Sequence, residues 1–316
     1  MSLTFVLTLA LGGTGRPGND LIRAGMLLDS AVKFINSSDI TSFLVITRRS
    51  DVLEVSKALD RYRGLLPIEI VDEIQLCPLL ESEPETTNKW PSPNVGWVRQ
   101  QLLKFAVQRL VTTPFYMTLD SDVIFTRPLE LEFLLADGKA IVNSEKFADY
   151  MSLYESATAE HERSVKSHRY KDASRLLGHK ALTSRLNFWY GETPVIMSCA
   201  ITEAVTSRIE RIWNMSWEEA LVKNLPWTEY ALYFVHAEES GLFDRYHRIG
   251  TFDSLLNMSH SIWWQPERYR DQRKLDDWPV EKIFGGSGPG YAVVVQSYLG
   301  YDPVSIRQRI QDFISV

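Results

Sequence analysis

The sequence is short of cysteine, with only Cys77 and Cys199 among its 316 residues. Two cysteines exclude a disulfide framework, and neither lies in a Cys-x-x-Cys or Cys/His pattern of the kind that binds zinc. This usage fits a reducing compartment, so we expect a cytoplasmic location. The three Asn-x-Ser/Thr sequons, at Asn36, Asn214 and Asn257, are then chance matches.

The sequence also lacks an excess of positive charge and any long hydrophobic run. Its formal net charge is -6, which argues against a nucleic-acid partner, because such proteins usually carry a basic face. The apolar run from Leu3 to Leu11 is too short to cross a membrane, and no Lys or Arg precedes it as in a signal peptide. We interpret it as the first strand, and we expect no transmembrane segment. Without repeats or low-complexity linkers, residues 1–316 are predicted to form a single domain.

The most informative segment is a short acidic break in an apolar stretch. Residues 115–119 form a β-prone run, Asp120 and Asp122 follow it, and residues 123–125 are apolar again. The carboxyl end of a strand is where ligands bind in an open α/β sheet. Two carboxylates that converge there suit Mn²⁺ or Mg²⁺ holding a diphosphate. Because burying unpaired acids is costly, a cationic partner is expected.

Together with the run before it, this segment resembles the metal-binding D-x-D segment of GT-A-type nucleotide-sugar glycosyltransferases. Residues 96–105 read G-W-V-R-Q-Q-L-L-K-F, similar to the helix ending in Q-Q-x-L-K that precedes D-x-D in a poorly characterised family of bacterial and viral glycosyltransferase-like proteins. The resemblance implies a GT-A-like (Rossmann-like) α/β fold, with a mostly parallel sheet flanked by helices and an acceptor-side helical insertion. It also implies sugar transfer from a nucleotide sugar, first of all a UDP-sugar, to a hydroxyl of a glycan or other acceptor, with Mn²⁺ or Mg²⁺ as cofactor.

The order of elements supports a parallel sheet with helices on both faces. We predict strands at residues 3–10, 42–47, 66–71, 115–119, 140–143, 195–198 and 291–296, and helices at about 19–34, 51–61, 96–110, 201–213 and 303–314. The first helix is predicted to begin at Asn19 or Asp20 as N-cap. Residues 81–95 are polar and proline-rich, so we interpret them as a loop.

The glycine-rich loop from Gly12 to Gly18 admits three interpretations. Gly13, Gly15 and Gly18 match the dinucleotide-binding pattern G-x-G-x-x-G, but no acid stands at the expected position after the second strand. The loop of sugar nucleotidyltransferases, G-G-x-G-x-R-x-x-P, would need a different spacing of Arg16 and the proline that follows it. We favour a turn that approaches a ligand without a named motif, and we predict no affinity for NAD or NADP.

The first half of the chain, residues 1–145, is predicted to bind the nucleotide sugar. Gln100 and Lys104 lie four residues apart on one helix and share a face. For Lys104, a solvated position on an amphipathic helix is an equally good alternative to contact with the donor. Asn143 ends a strand at the same edge of the sheet as the two acids. The predicted donor-binding residues are Gly12, Gly13, Arg99, Gln100, Lys104, Asp120 and Asn143.

The second half, residues 146–316, is predicted to bind the acceptor. Residues 150–177 are polar and helical, and we interpret them as an inserted segment with a solvated face or as a flap over the acceptor. Before the strand at 195–198, the residues Gly191, Glu192 and Thr193 are assigned to the acceptor site. By resemblance to GT-A enzymes, in which a late histidine completes the metal shell, the predicted metal ligands are Asp120, Asp122 and His260.

Glu229 is the predicted catalytic residue. It opens a helix for which Thr228 is the expected N-cap, and a similar S/T-E-Y-x-L-Y segment follows the acceptor strand in the family that the chain resembles. There the acid looks like the group that faces the acceptor hydroxyl, so Glu229 would take its proton and the reaction would invert the configuration. The structural alternative is stabilisation of the helix dipole, which would leave Glu192, Glu145 or Asp149 as the base.

Two other functions stay open at this point. A sugar nucleotidyltransferase would use the same paired acids and the glycine-rich loop, and it would release pyrophosphate from a nucleoside triphosphate. A non-catalytic nucleotide- or carbohydrate-binding protein of the same fold would bind these ligands without turnover. Release of nucleoside diphosphate from a nucleotide sugar separates a transferase from both.

Overall fold

The computed structural model of the protein describes residues 2–13, 16–81, 95–179, 187–224, 226–263, 273–286 and 288–315. Within them, strands and helices alternate through the first half of the chain. The strands are β1 (Leu3–Leu9), β2 (Ile40–Thr47), β3 (Ile68–Asp72), β4 (Phe115–Leu119), β5 (Val123–Phe125), β6 (Ala140–Val142), β7 (Ser144–Lys146), β8 (Phe188–Tyr190), β9 (Val195–Ser198), β10 (His247–Ile249) and β11 (Ala292–Val294).

The helices include several of a single turn. They are α1 (Pro17–Phe34), α2 (Val52–Leu59), α3 (Glu73–Leu76), α4 (Val95–Ala106), α5 (Leu131–Leu134), α6 (Phe147–Leu153), α7 (Ser156–Leu176), α8 (Cys199–Trp213), α9 (Trp217–Lys223), α10 (Glu229–Glu239), α11 (Phe243–Tyr246), α12 (Arg273–Asp276), α13 (Val280–Phe284) and α14 (Pro303–Ile314). No helix in the described ranges is long and apolar enough to span a membrane.

The central sheet has five strands in the order β3-β2-β1-β4-β9. The first four run parallel, and β9 pairs antiparallel with β4. The α/β class with a mostly parallel sheet flanked by helices, predicted from the sequence, is therefore confirmed. Because the carboxyl ends of the parallel strands meet at one edge, the residues after β1, β2 and β4 lie together there.

The strands β1, β4 and β9 are buried on both faces, as expected where helices cover a sheet. On the α1 side, Phe5 of β1 stacks on Phe43 of β2 with ring centroids 5.8 Å apart. On the opposite side, Val6 and Tyr116 belong to a core shared with α4, α8 and α10. Alternation of side chains along each strand sends successive residues into the two cores, so the strand termini are fixed from both sides.

Elements from the second half of the chain complete the first. Strand β9 is the last strand of the central sheet, β11 pairs antiparallel with β5, and β10 pairs parallel with β6. Helix α14 packs against α1. Position 145 therefore does not divide the described chain into separate bodies, and the two predicted halves refer to ligands only.

Three local predictions need correction or fall outside the described residues. Helix α1 begins at Pro17 rather than at Asn19 or Asp20, because proline suits the first helical position. The polar insertion forms α6 and α7 as predicted, but α7 is not simply solvated, since one side of it is buried. The predicted loop at residues 81–95 lies outside the described residues except at its two ends.

Candidate active site

The two acids of the D-x-D segment lie at the carboxyl end of β4 but differ in environment. The side chain of Asp120 is 32% exposed, and its backbone N–H donates to Thr193 Oγ1 at 3.2 Å. Asp122 is buried, and its Oδ2 accepts from the backbone N–H of Ser297 at 2.9 Å. Its Oδ1 has no hydrogen-bond partner in the part of the chain that the structure describes. Burial, followed by the charge of Asp120, raises the pKa of Asp122 to about 6.

Lys104 of α4 connects the D-x-D segment to the start of α10. Its Nζ lies 2.9 Å from Asp120 Oδ1 and 3.0 Å from Glu229 Oε1, and it donates to the Tyr230 hydroxyl at 3.2 Å. All three ammonium hydrogens therefore have an acceptor. Burial alone would lower the pKa of Lys104, but Asp120 and Glu229 raise it well above its usual value. The side chain is buried and charged, which excludes the solvated alternative. We call Lys104, Asp120, Glu229 and Tyr230 the Lys104 cluster.

Glu229 occupies the first turn of α10, where local bonds fix its position. Thr228 Oγ1 accepts the backbone N–H of Ala231 at 3.4 Å, so the predicted N-cap is confirmed. The backbone N–H of Glu229 donates to Gln101 Oε1 at 3.1 Å. Burial raises the pKa of the Glu229 carboxyl, and Lys104 opposes this. The helix start thus directs the carboxylate to the ammonium that also holds Asp120.

A second group of charges lies on the insertion. Lys166 of α7 is buried, and its Nζ lies 2.6 Å from Glu145 Oε2 and 3.5 Å from Glu192 Oε1. Arg169, one turn further along α7, also pairs with Glu192, and the Tyr150 hydroxyl donates to Glu145 at 2.5 Å. Burial alone would raise the pKa of Glu192, but Arg169 and Lys166 lower it to about 2. We call these five residues the Lys166 cluster.

The two clusters adjoin each other. The charge of Glu192 above all, and to a smaller extent that of Glu229, raises the pKa of Arg169. Helix α7, which carries Arg169, packs against α10, which carries Glu229. The charged groups therefore continue from the D-x-D segment to the insertion helix.

The remaining predicted residues near β9 support the local backbone. The amide nitrogen of Asn143 donates to the carbonyls of Phe252 and Leu256, both at 2.8 Å, which uses both of its N–H groups. A Cβ at Gly191 would come within 2.8 Å of Asn143 Cβ, so this position needs glycine. Thr193 accepts the backbone N–H of Asp120, so it too has a structural bond. Of the three predicted acceptor residues, Glu192 is the one that presents a half-buried carboxylate.

The predicted nucleotide-side residues gather at the ends of β1 and β2. Arg99 and Gln100 line a depression there together with residues of both strands, and Arg99 pairs with the buried Glu73. Gly12 adopts a φ of 82°, which favours glycine, and its N–H donates to Asp20 Oδ2 at 2.7 Å. Gly13 is exposed beside it.

His260 is hydrogen-bonded to Asn257 in this structure. Its ring Nδ1 and its backbone N–H both donate to Asn257 Oδ1, at 3.0 and 3.1 Å. No group of three or more His, Cys, Asp and Glu side chains with metal-binding geometry occurs among the described residues. The predicted set of Asp120, Asp122 and His260 is therefore not assembled here.

Gln101 and Arg23 were not among the predicted residues. Gln101 lies three residues before Lys104 on α4, so both reach Glu229, while its Nε2 has no partner in the described chain. Arg23 of α1 is buried, and its guanidinium donates to Tyr301 O at 3.0 Å. Its charge acts on Asp122. A helical wheel anchored on Lys104 could have found Gln101, whereas Arg23 is brought to the site by the packing of α1 alone.

A family model covers the whole chain. The model of a family of unknown function, DUF6492, matches residues 1–316. The chain belongs to this family. No curated protein matches it.

Three solved structures are similar to this DUF6492 chain. Mouse xyloside xylosyltransferase 1 in its apo form is 10% identical over 93% of this chain and 97% of its own, with a TM-score of 0.49. The 4-diphosphocytidyl-2C-methyl-D-erythritol synthase of Anaerococcus prevotii DSM 20548 is 14% identical over 79% and 86%, with a TM-score of 0.41. TarS of S. aureus is 13% identical over 40% of this chain and 18% of its own, with a TM-score of 0.25. Similarities at this level carry no argument about chemistry.

The residues at the D-x-D segment fit a divalent cation. Mg²⁺ in proteins is commonly held by one or two carboxylates plus substrate phosphates, so a three-residue protein shell is not required. Asp122 Oδ1 is a buried oxygen without a hydrogen bond in the described chain, and such groups normally have a partner. A cation would satisfy this oxygen and reduce the repulsion between the two acids.

Proposed function

We propose that this protein is a metal-dependent glycosyltransferase that moves a sugar from a nucleotide sugar to an acceptor hydroxyl. The observation that carries the proposal is the D-x-D segment at the carboxyl end of β4, where a buried Asp122 oxygen has no partner among the described residues and lies beside a second carboxylate. Asp120 and Asp122 would hold Mn²⁺ or Mg²⁺. When bound, the ion supplies positive charge to the leaving diphosphate.

On the donor side, the chain offers a cation and a cleft. The Lys104 ammonium contacts Asp120 and adds positive charge at the same place, which favours an anionic leaving group. The depression lined by Arg99 and Gln100 lies at the same edge of the sheet, and we assign the nucleoside to it. A UDP-sugar as donor and a cytoplasmic location stay predictions.

On the acceptor side, we assign different roles to the carboxylates of Glu192 and Glu229. Glu192 is held ionised by Arg169 and Lys166, so its pKa of about 2 makes it a weak base but a good hydrogen-bond acceptor. Burial raises the pKa of Glu229, which brings it closer to the range that favours proton abstraction. We therefore assign binding of the acceptor hydroxyl to Glu192 and removal of its proton to Glu229, with inversion at the anomeric carbon.

The proposal is tested by release of nucleoside diphosphate. Purified protein is incubated with a panel of nucleotide sugars and Mn²⁺, with and without simple sugar acceptors, after a thermal-shift screen in which a bound ligand raises stability by mass action. We expect nucleoside diphosphate from at least one donor, with loss of Mn²⁺ dependence in Asp122→Asn. Pyrophosphate release from a nucleoside triphosphate and a sugar phosphate would assign a nucleotidyltransferase instead. Stabilisation without any turnover would assign a binding protein.

A further inference from the structure

The ammonium of Lys104 is shared between an open carboxylate and an enclosed one. Its distances to Asp120 Oδ1 and Glu229 Oε1 are nearly equal, at 2.9 and 3.0 Å. The side chain of Asp120 is 32% exposed, whereas that of Glu229 is only 6% exposed. A cation arriving from solvent therefore meets Asp120 first, while the bond to Glu229 is protected.

The partners of Lys104 allow it to leave Asp120 without becoming unpaired. Beyond the two carboxylates, the Tyr230 hydroxyl accepts from Nζ at 3.2 Å, and the ammonium lies 5.0 Å from the centroid of the Tyr230 ring. Such a ring stabilises a nearby cation. If the bond to Asp120 is lost, Glu229 and Tyr230 still hold the charge.

We propose that Lys104 is an exchangeable counter-ion, which a divalent cation displaces from Asp120 and which then pairs with Glu229 alone. The inference rests on the proposed function, because it takes the D-x-D segment as the metal site. Two cations at one carboxylate oxygen repel each other strongly in a partly buried site. Binding of the metal at the donor side is thereby coupled to the charge around Glu229 at the acceptor side.

Lys104 and Glu229 should change the affinity for the metal in opposite directions. Lys104 competes with the metal for Asp120, so it weakens metal binding. Glu229 draws Lys104 away from Asp120, so it strengthens metal binding without contacting the metal. Because coupling between two sites is reciprocal, metal at Asp120 also strengthens the pairing between Lys104 and Glu229.

The test is Mn²⁺ affinity, measured with Mn²⁺ alone by following free Mn²⁺ in electron paramagnetic resonance titrations. We expect Lys104→Met to lower the Kd for Mn²⁺ by at least about fivefold, and Glu229→Gln to raise it by a similar factor, at the lower end of typical coupling between sites. The double variant Lys104→Met/Glu229→Gln keeps the net charge of the wild type. It should bind as tightly as Lys104→Met, since Glu229 acts only through Lys104.

A matched control uses the neighbouring cluster. Lys166→Met/Glu145→Gln removes an equally buried pair that does not contact Asp120, and the Kd for Mn²⁺ should stay within about twofold. Thermal unfolding of each variant shows that it is folded, and the double variants avoid leaving a buried acid alone.

Three results would overturn the exchange. If the effects of Lys104→Met and Glu229→Gln on the Kd for Mn²⁺ were additive, simple charge repulsion would explain them without an exchange of partners. Lys104→Met/Glu229→Gln, which keeps the net charge, would then bind Mn²⁺ like the wild type. Weaker binding by Lys104→Met would mean that Lys104 supports the metal. In both cases the metal site of the proposed function survives. Absence of Mn²⁺ binding by the wild type, even with uridine diphosphate added, would overturn that site and the exchange together.

Discussion

The Lys104 cluster and the Lys166 cluster are built from the same parts. Each has a buried lysine between two carboxylates and beside a tyrosine. They differ in the number of cations that they contain and in the groups that lie beside them. In the Lys166 cluster, Glu192 receives a second cation from Arg169, and Glu145 receives the Tyr150 hydroxyl. Beside the Lys104 cluster lies Asp122, which has an oxygen without a partner among the described residues.

Under the proposed function, this difference separates a structural support from a metal-binding site. A buried polar network whose members are all satisfied makes a structure rigid, so the Lys166 cluster fixes the insertion helix and orients Glu192. A buried carboxylate oxygen without a hydrogen bond, such as Asp122 Oδ1 in the described chain, is costly, and we expect an added cation to stabilise it. The first prediction below tests the matched Lys166 cluster, the second tests the Lys104 cluster, and the third concerns a pair of neutral histidines.

The largest effect is expected when the matched cluster is broken. Lys166→Met leaves Glu145 buried and without its cation, which costs about 3–5 kcal/mol in comparable cases. Thermal unfolding should show a large drop in Tm, and adding Mn²⁺ should not restore it. The double variant Lys166→Met/Glu145→Gln should recover much of the loss. A Tm within about 1 °C of the wild type for Lys166→Met would mean that the cluster contributes little to stability.

Removal of the proposed base should act on rate rather than on stability. Glu229→Gln keeps the shape of the side chain and a hydrogen bond to Lys104 but cannot accept a proton. Turnover at saturating Mn²⁺ and donor should fall by at least about a hundredfold, equivalent to about 2.7 kcal/mol, with Tm little changed. Near-normal turnover would return Glu229 to a structural role, and a retained anomeric configuration by NMR would exclude single displacement.

A smaller effect concerns the histidine pair that joins α7 to α10. The ring nitrogens His179 Nε2 and His236 Nδ1 lie 3.1 Å apart, with Arg208 and Arg211 of α8 and Glu239 of α10 nearby. Burial above all, then the charge of His179, lowers the pKa of His236 to about 4.

Between pH 6.5 and about 4, the unfolded chain binds a proton at His236 that the native protein does not, so stability falls as the pH falls. We expect His236→Gln to remove about 2 kcal/mol of this acid-dependent loss, measured by urea unfolding at pH 7, 5.5 and 4. Part of the slope should remain, because the pKa of His179 is also lowered. Parallel curves for variant and wild type would contradict a neutral, buried His236.

The position of the two acids at the carboxyl end of β4 could be predicted from the sequence because local pattern determines it. An apolar run followed at once by Asp120 and Asp122 gives both the strand and the edge at which the acids lie. The sequence did not show which glutamine of α4 contacts Glu229 together with Lys104. In the structure it is Gln101 rather than Gln100. Positions 100 and 101 lie four and three residues before Lys104, so helix spacing offers both as neighbours of Lys104 and does not choose between them.

The ion pairs of the Lys166 cluster could not be predicted in the same way because tertiary packing determines them. Lys166 and Arg169 lie in a strongly polar helix, a pattern typical of a solvated face. Their partners Glu145 and Glu192 come from β7 and from the segment before β9, and only the packed structure brings them to α7. The same holds for Asn143, a predicted donor-binding residue, because the sequence gives no signal for its hydrogen bonds to the carbonyls of Phe252 and Leu256.

The most direct test of the central claim is calorimetric titration of uridine diphosphate into the wild type and into Asp122→Asn, each with and without Mn²⁺. We predict Mn²⁺-dependent binding by the wild type and loss of that dependence in the variant, whose fold should be kept because the Asn side chain can still accept the Ser297 N–H. Binding by the variant with undiminished Mn²⁺ dependence would contradict the assignment of the metal to the D-x-D segment.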